Sequence, residues 1–205
     1  MIKQLPILNR AASFAPDTVN TESRTVNVIW STGATVRRGG MFSEPYNEAL
    51  SMAPECVRME RLQSGNAPLL WTHDLFAPPL GIVENASLSD GIGSATVRFS
   101  KRADVEPIWQ DVQDGIIRNV SVGLIIHRAR ETSKPGDALR TVEITDWEPR
   151  EISLASVGLD AGAVIRSAGE TSSCEFDSHE EGPAPKPGPV AVLRLALEIE
   201  KEIAL

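Results

Sequence analysis

Ile116–His127 reads IIRNVSVGLIIH, and its alternation sets the fold class. β-Branched residues dominate the stretch and apolar positions recur every second residue, which predicts a β-strand. Arg118 falls in register with Val120, Val122 and Leu124, so that face is apolar with a charged end. The opposite face carries Asn119, Ser121, Gly123 and His127, with Ile117 and Ile125 among them. A hydroxyl therefore sits mid-strand at Ser121, with only hydrogen at the next position on its face. That makes Ser121 a candidate nucleophile, although by residue type a mid-strand serine is more often a packing residue.

Working outward, the same period recurs. Arg24–Ser31 alternates, with Val26, Val28 and Trp30 on one face, and Thr35–Arg38 is a short second strand. Residues 41–53 hold Pro45 followed by helix formers, which predicts a short helix or ordered loop. Val57–Leu62, Leu69–Asp74, Leu80–Ser87 and Gly93–Ser100 are further candidate strands, the last two joined as a hairpin by Asp90-Gly91. Ala103–Asp114 places Val105, Ile108, Trp109 and Val112 at helical spacing, closed by Gly115. Leu139–Trp147 and Glu151–Val157 read as two strands around Glu148-Pro149-Arg150, and Asp160–Ile165 finishes the domain. The expected fold is α+β and mainly β. A segment over 1–22 precedes a folded domain over 23–166. An acidic, Pro-rich flexible linker over 167–189 and an amphipathic C-terminal helix over 190–205 follow.

Composition narrows the function classes. A chain of 205 residues buries one good core. Its formal net charge is -8 with no dense Lys/Arg run, which argues against nucleic acid as a partner. No apolar run approaches the roughly 20 residues that span a bilayer, and the N-terminus lacks a signal-peptide pattern. Cys56 and Cys174 stand far apart in unlike contexts and read as free thiols in a reducing, cytosolic type of compartment.

A serine hydroxyl is a weak nucleophile until a base accepts its proton, and histidine is the commonest base. His127 shares Ser121's face but lies about 20 Å along the strand. His179 sits in the acidic linker near Cys174, Glu175 and Asp177, without the spacing of a metal site. His73 remains, where a strand gives way to a Pro-containing loop. Only a sheet could bring it to Ser121.

The order LLWTHD (69–74), PLGIV (79–83), a hairpin, DVQDGIIRNVSVGL (111–124) and WEPREISLASVGLDAGAVI (147–165) resembles the prohead maturation proteases of tailed bacteriophages. These are serine peptidases related in fold to herpesvirus assemblins. The resemblance covers about residues 24–165. It implies a β-barrel flanked by helices, with His73 and Ser121 catalytic and no cofactor or metal. It implies a serine endopeptidase working through an acyl-enzyme in the bacterial host cytoplasm, inside assembling proheads. Its substrates would be the major capsid protein, the scaffolding protein and the chain itself, with no membrane partner and self-association left open. The acid before I-S-L, Glu151, is the candidate third member, with Asp146 and Glu148 as alternatives and Asp74 ranked below them. A surface ion pair of Glu151 with Arg150 or Arg118 is the competing reading. Oxyanion donors are sought near Gly123 or in Gly158–Gly162. The rival function is an inactive capsid-assembly or scaffold-binding module on the same fold.

Overall fold

The computed structural model describes residues 2–6, 8–14, 18–40, 43–134, 136–155 and 171–177. The strands are β1 (Ile2–Pro6), β2 (Leu8–Phe14), β3 (Thr25–Ser31), β4 (Val36–Gly40), β5 (Ser43–Leu50), β6 (Pro68–Trp71), β7 (Gly81–Ser89), β8 (Ile92–Phe99), β9 (Asn119–Glu131), β10 (Thr141–Ala155) and β11 (Thr171–Asp177). Two short helices, α1 (Glu60–Gln63) and α2 (Glu106–Gln113), complete the regular structure of the described residues, with a 3-10 turn at Pro54–Cys56. The fold is mainly β with few helices. The strands form one sheet in the order β1-β11-β9-β2-β3-β8-β7-β6-β10-β5-β4, and β9 also pairs with β10.

Alternation in sequence becomes one buried face where it is cleanest. Val26, Val28 and Trp30 of β3 are all buried, as are Gly93, Ala95, Val97 and Phe99 of β8. The Trp30 and Trp147 rings meet edge to face, 6.1 Å between centroids. Each indole N–H stays satisfied inside the core: Trp30 donates to the Ser94 carbonyl and Trp147 to the Ser51 carbonyl, both at 2.9 Å. Gly93 lies flat under this cluster. A Cβ there would stand 2.4 Å from the Trp30 ring.

The α2 helix packs through Trp109, 4.9 Å from the Phe99 ring, while Arg24 reaches over Trp109 to pair with Glu106 at 2.7 Å. Gly115 follows in the left-handed region at φ +68° and ends the helix. The chain then makes a turn that the alternation did not reveal. The amides of Ile116 and Ile117 both donate to the Asp111 carbonyl, the Arg118 guanidinium donates to the Gly115 carbonyl, and Ile116 is exposed. The strand begins at Asn119 rather than Ile116.

Other expectations need correction. Residues 43–50 form β5 rather than a helix, because Asn47–Leu50 pair in parallel with Thr141–Ile144 of β10 while β4 pairs on the other side. Glu48 interrupts the apolar pattern there, yet it is buried and takes its partner from Arg38 at 3.3 Å. Val57–Leu62 is not a strand. Val57 makes one bridge to Trp147, and α1 then buries Leu62. The two strands expected over 139–157 are the single strand β10, which absorbs Pro149 through register shifts, one between Pro149 and Glu151.

The opening residues, read as having no strong period, supply β1 and β2. Within the stretch expected to be a flexible linker, Thr171–Asp177 forms β11, antiparallel to β1 and parallel to β9. Asp160–Ile165, His179, the Pro-rich run, the C-terminal helix and the proposed oxyanion loop Gly158–Gly162 lie outside the described residues, as does the Cys174 thiol. Cys56 is free. No helix among the described residues is long and apolar enough to cross a membrane.

Candidate active site

Three adjacent strands assemble the site. Residues Ile152–Leu154 of β10 pair in parallel with Leu69–Trp71 of β6 and antiparallel with β9 on their other side. In that register Ser153 stands opposite Ser121, and Glu151 opposite Gly123. Two residues apart in regular register, Glu151 and Ser153 share one face of β10.

The chain leaves β6 through a strained turn. Thr72 and His73 have φ of +47° and +62°, a region that costs L-residues, and β-branched ones most. Three hydrogen bonds hold it: Thr72 N–H to the Leu154 carbonyl at 2.9 Å, Asp74 N–H to the Trp71 carbonyl at 3.0 Å, and His73 N–H to the Ser153 hydroxyl at 3.1 Å. This turn carries the imidazole back across β10 towards β9.

The structure thus brings His73 together with Ser121 and Glu151, which lie 48 and 78 residues further along the chain. The Nε2 of His73 lies 2.9 Å from Ser121 Oγ, and Nδ1 lies 2.5 Å from Glu151 Oε1. An ionised carboxylate only accepts, so in the neutral imidazole Nδ1 carries the proton and Nε2 is left to accept from the Ser121 hydroxyl. Glu151 makes no ion pair with Arg150 or Arg118 among the described residues. Its second oxygen, Oε2, accepts from the Ser153 hydroxyl at 2.6 Å.

Burial sharpens the electrostatics. Ser121 is 0% exposed and Glu151 4%, while the His73 side chain keeps 15%. Contacts between these groups are little screened by water. The face that carries Ser121, the more polar one in sequence, is buried along with the other. Every residue from Val120 to Leu124 is buried.

The other acids are engaged elsewhere. Asp146 pairs with Arg58 through two contacts of 2.7 and 2.6 Å, and that hydrogen-bonded guanidinium holds its carboxyl below the usual carboxylate range against a smaller effect of burial. Glu148 lies 3.5 Å from His127, far from Ser121 along β9. Asp74 caps the loop that follows, accepting from the amides of Phe76 and Ala77 at 2.9 and 3.2 Å. Just beyond it, Phe76 is 99% exposed. No group of three His, Cys, Asp or Glu side chains suited to a metal is found among the described residues.

Two roles escaped sequence reasoning. Ser153 binds both Glu151 and the His73 amide, and its signal was the i, i+2 spacing with Glu151 on one strand face. Gly123 makes room for the acid: a Cβ there would lie 2.1 Å from Glu151 Oε1. Arranged this way, the groups can lower the barrier to proton loss from the Ser121 hydroxyl and steady the resulting imidazolium.

Comparisons with known proteins turn the functional reading elsewhere. No family model matches the chain, and no solved structure is significantly similar to it. A major capsid protein of Halomonas phage phiHAP-1 is 40% identical over 130 residues, 62% of this chain. The match spans about a fifth (21%) of that relative's length. This overturns the expectation that the chain belongs to the prohead maturation proteases and acts as a serine endopeptidase. The relative is named for the capsid itself, and what this chain is shown to be similar to is part of a phage major capsid protein.

Proposed function

We propose that this chain is a structural segment of a phage capsid, contributing to the particle through its mainly β domain. The observation that carries the reading is the 40% identity over 130 residues with a phage major capsid protein. Its partners are then other capsid subunits and its place is the phage particle, in line with the assembly-module reading weighed from the sequence. We further read β9, β2, β3, β8, β7, β6 and β10 as the wall of a barrel. The β9–β10 pairing, which joins the two ends of that run, supports this.

For the site we propose that Ser121 is an activated nucleophile, His73 its base and Glu151 the acid that orients His73. The two contacts of 2.9 and 2.5 Å support those roles. A small fluorophosphonate tests them. Ser121 Oγ bonds to phosphorus as the P–F bond breaks, the hydroxyl proton passes to His73 Nε2, and fluoride leaves. Ser121 exposes no surface, so the reagent reaches it through local opening of the surrounding chain.

Labelling at Ser121 is expected in the wild type, absent in Ser121→Ala, and slower by at least about 100-fold in Glu151→Gln, where the imidazole loses its charged partner. A wild type left unlabelled by the reagent, or a Glu151→Gln variant labelled at the full rate, overturns this assignment. The capsid reading is tested separately, by mass spectrometry of purified particles. Peptides from residues 24–155 should be present at shell stoichiometry, and their absence overturns it.

A further inference from the structure

We infer that Ser153 is a positioning residue that ties Glu151 to the main chain of His73. The inference rests on reading Ser121, His73 and Glu151 as one working unit. A serine hydroxyl has one hydrogen to give and lone pairs to receive with. The His73 amide can only donate, so at 3.1 Å it is Ser153 Oγ that accepts. The hydroxyl hydrogen is then free for Glu151 Oε2, 2.6 Å away.

Glu151 is thereby held at two points, Oε1 by the imidazole and Oε2 by Ser153, which fixes the plane of the carboxylate. A carboxylate held at one oxygen rotates about its last bond. One held at both presents a defined lone pair to Nδ1. The second tie acts on the histidine itself. His73 sits at φ +62° directly after Thr72 at +47°, and its amide in that turn is anchored on the same oxygen. Acid and base are thus positioned by a single side chain, fully buried on β10 and opposite Ser121 in the sheet register. Gly123 closes the arrangement from the facing strand by leaving the carboxylate its space.

A serine kept only for packing would tolerate alanine without consequence for the imidazole, which gives the test. In protein labelled with nitrogen-15 at histidine, the Nδ1–H resonance of His73 is identified by its loss in His73→Gln, then compared in wild type, Ser153→Ala and Ser153→Thr. Fluorophosphonate labelling rates are measured on the same samples. Ser153→Ala is expected to expose the Nδ1 proton to rapid exchange and to slow labelling roughly 10- to 100-fold, the scale of a small misplacement of a reacting group. Ser153→Thr, which keeps the hydroxyl, is expected to restore both. An unchanged Nδ1–H resonance together with an unchanged labelling rate in Ser153→Ala would overturn the inference. If the wild type is never labelled, the reading of Ser121 as a nucleophile fails, and the resonance alone still decides the role of Ser153. Should the alanine variant not fold, Ser153→Thr against Ser153→Val makes the same comparison at equal shape.

Discussion

Ser121 and Glu151 owe their relation to a residue with no side chain. Glu151 stands opposite Gly123 across β9 and β10, and its Oε1 fills the volume a methyl group would take. Gly123→Ala is therefore predicted to push the carboxylate off His73 and to destabilise the protein by about 1–3 kcal/mol, the usual cost of overpacking a buried site. Chemical denaturation reads that cost, and a midpoint equal to wild type would show that the carboxylate has room to spare. At this scale the sequence was partly legible. The polar face of IIRNVSVGLIIH singled out Ser121, and the strand-to-loop position of His73 made it the remaining base. The tie from Ser153 and the space left by Gly123 were not legible, because both depend on which strand faces which, and register is a property of the paired sheet.

Between strands, the most telling element is the turn after β6. Two successive non-glycine residues in the left-handed region cost about 1–3 kcal/mol each, and here the hydrogen bonds to Leu154 and Ser153 hold them in place. Thr72→Gly removes the steric part of that cost at the price of roughly 1 kcal/mol of backbone entropy. It is predicted to leave stability unchanged or raise it by up to about 2 kcal/mol. A clear loss of stability on denaturation would mean that the threonine side chain supports the turn instead.

The β10 strand carries a second prediction, through Asp146. Its carboxyl is held low in the folded state by Arg58, so the pair stabilises the protein fully above the unfolded carboxylate pKa of about 3.9. That contribution disappears as pH falls through the folded value. Arg58 is half exposed, so the size is at most about 1 kcal/mol. Asp146→Asn should lower stability at pH 7 and converge with wild type in strong acid. A constant offset at all pH values would refute the linkage. Elements were legible where period and turn chemistry agreed, as in β3, the β7–β8 hairpin and α2. They were misread where pairing overrode local preference. The β5 strand hides behind Pro45 and the charged Glu48, and it exists because β4 and β10 flank it.

Over the whole molecule, one sheet gathers strands from Ile2–Pro6 to Thr171–Asp177. The mainly β class was readable from alternation repeated along the chain. The function was not, because motifs in a shared order pointed to a serine peptidase while the measured similarity is to a major capsid protein. A geometry able to activate a serine is a statement about one site. A place in a shell is a statement about the surfaces of the whole domain, which strand patterns do not encode. The most direct measurement is therefore quantitative mass spectrometry of purified phage particles, counting peptides from residues 24–155 against the other shell proteins. A capsid segment is predicted to be present at a fixed stoichiometric ratio in mature particles. Particles devoid of these peptides would contradict it.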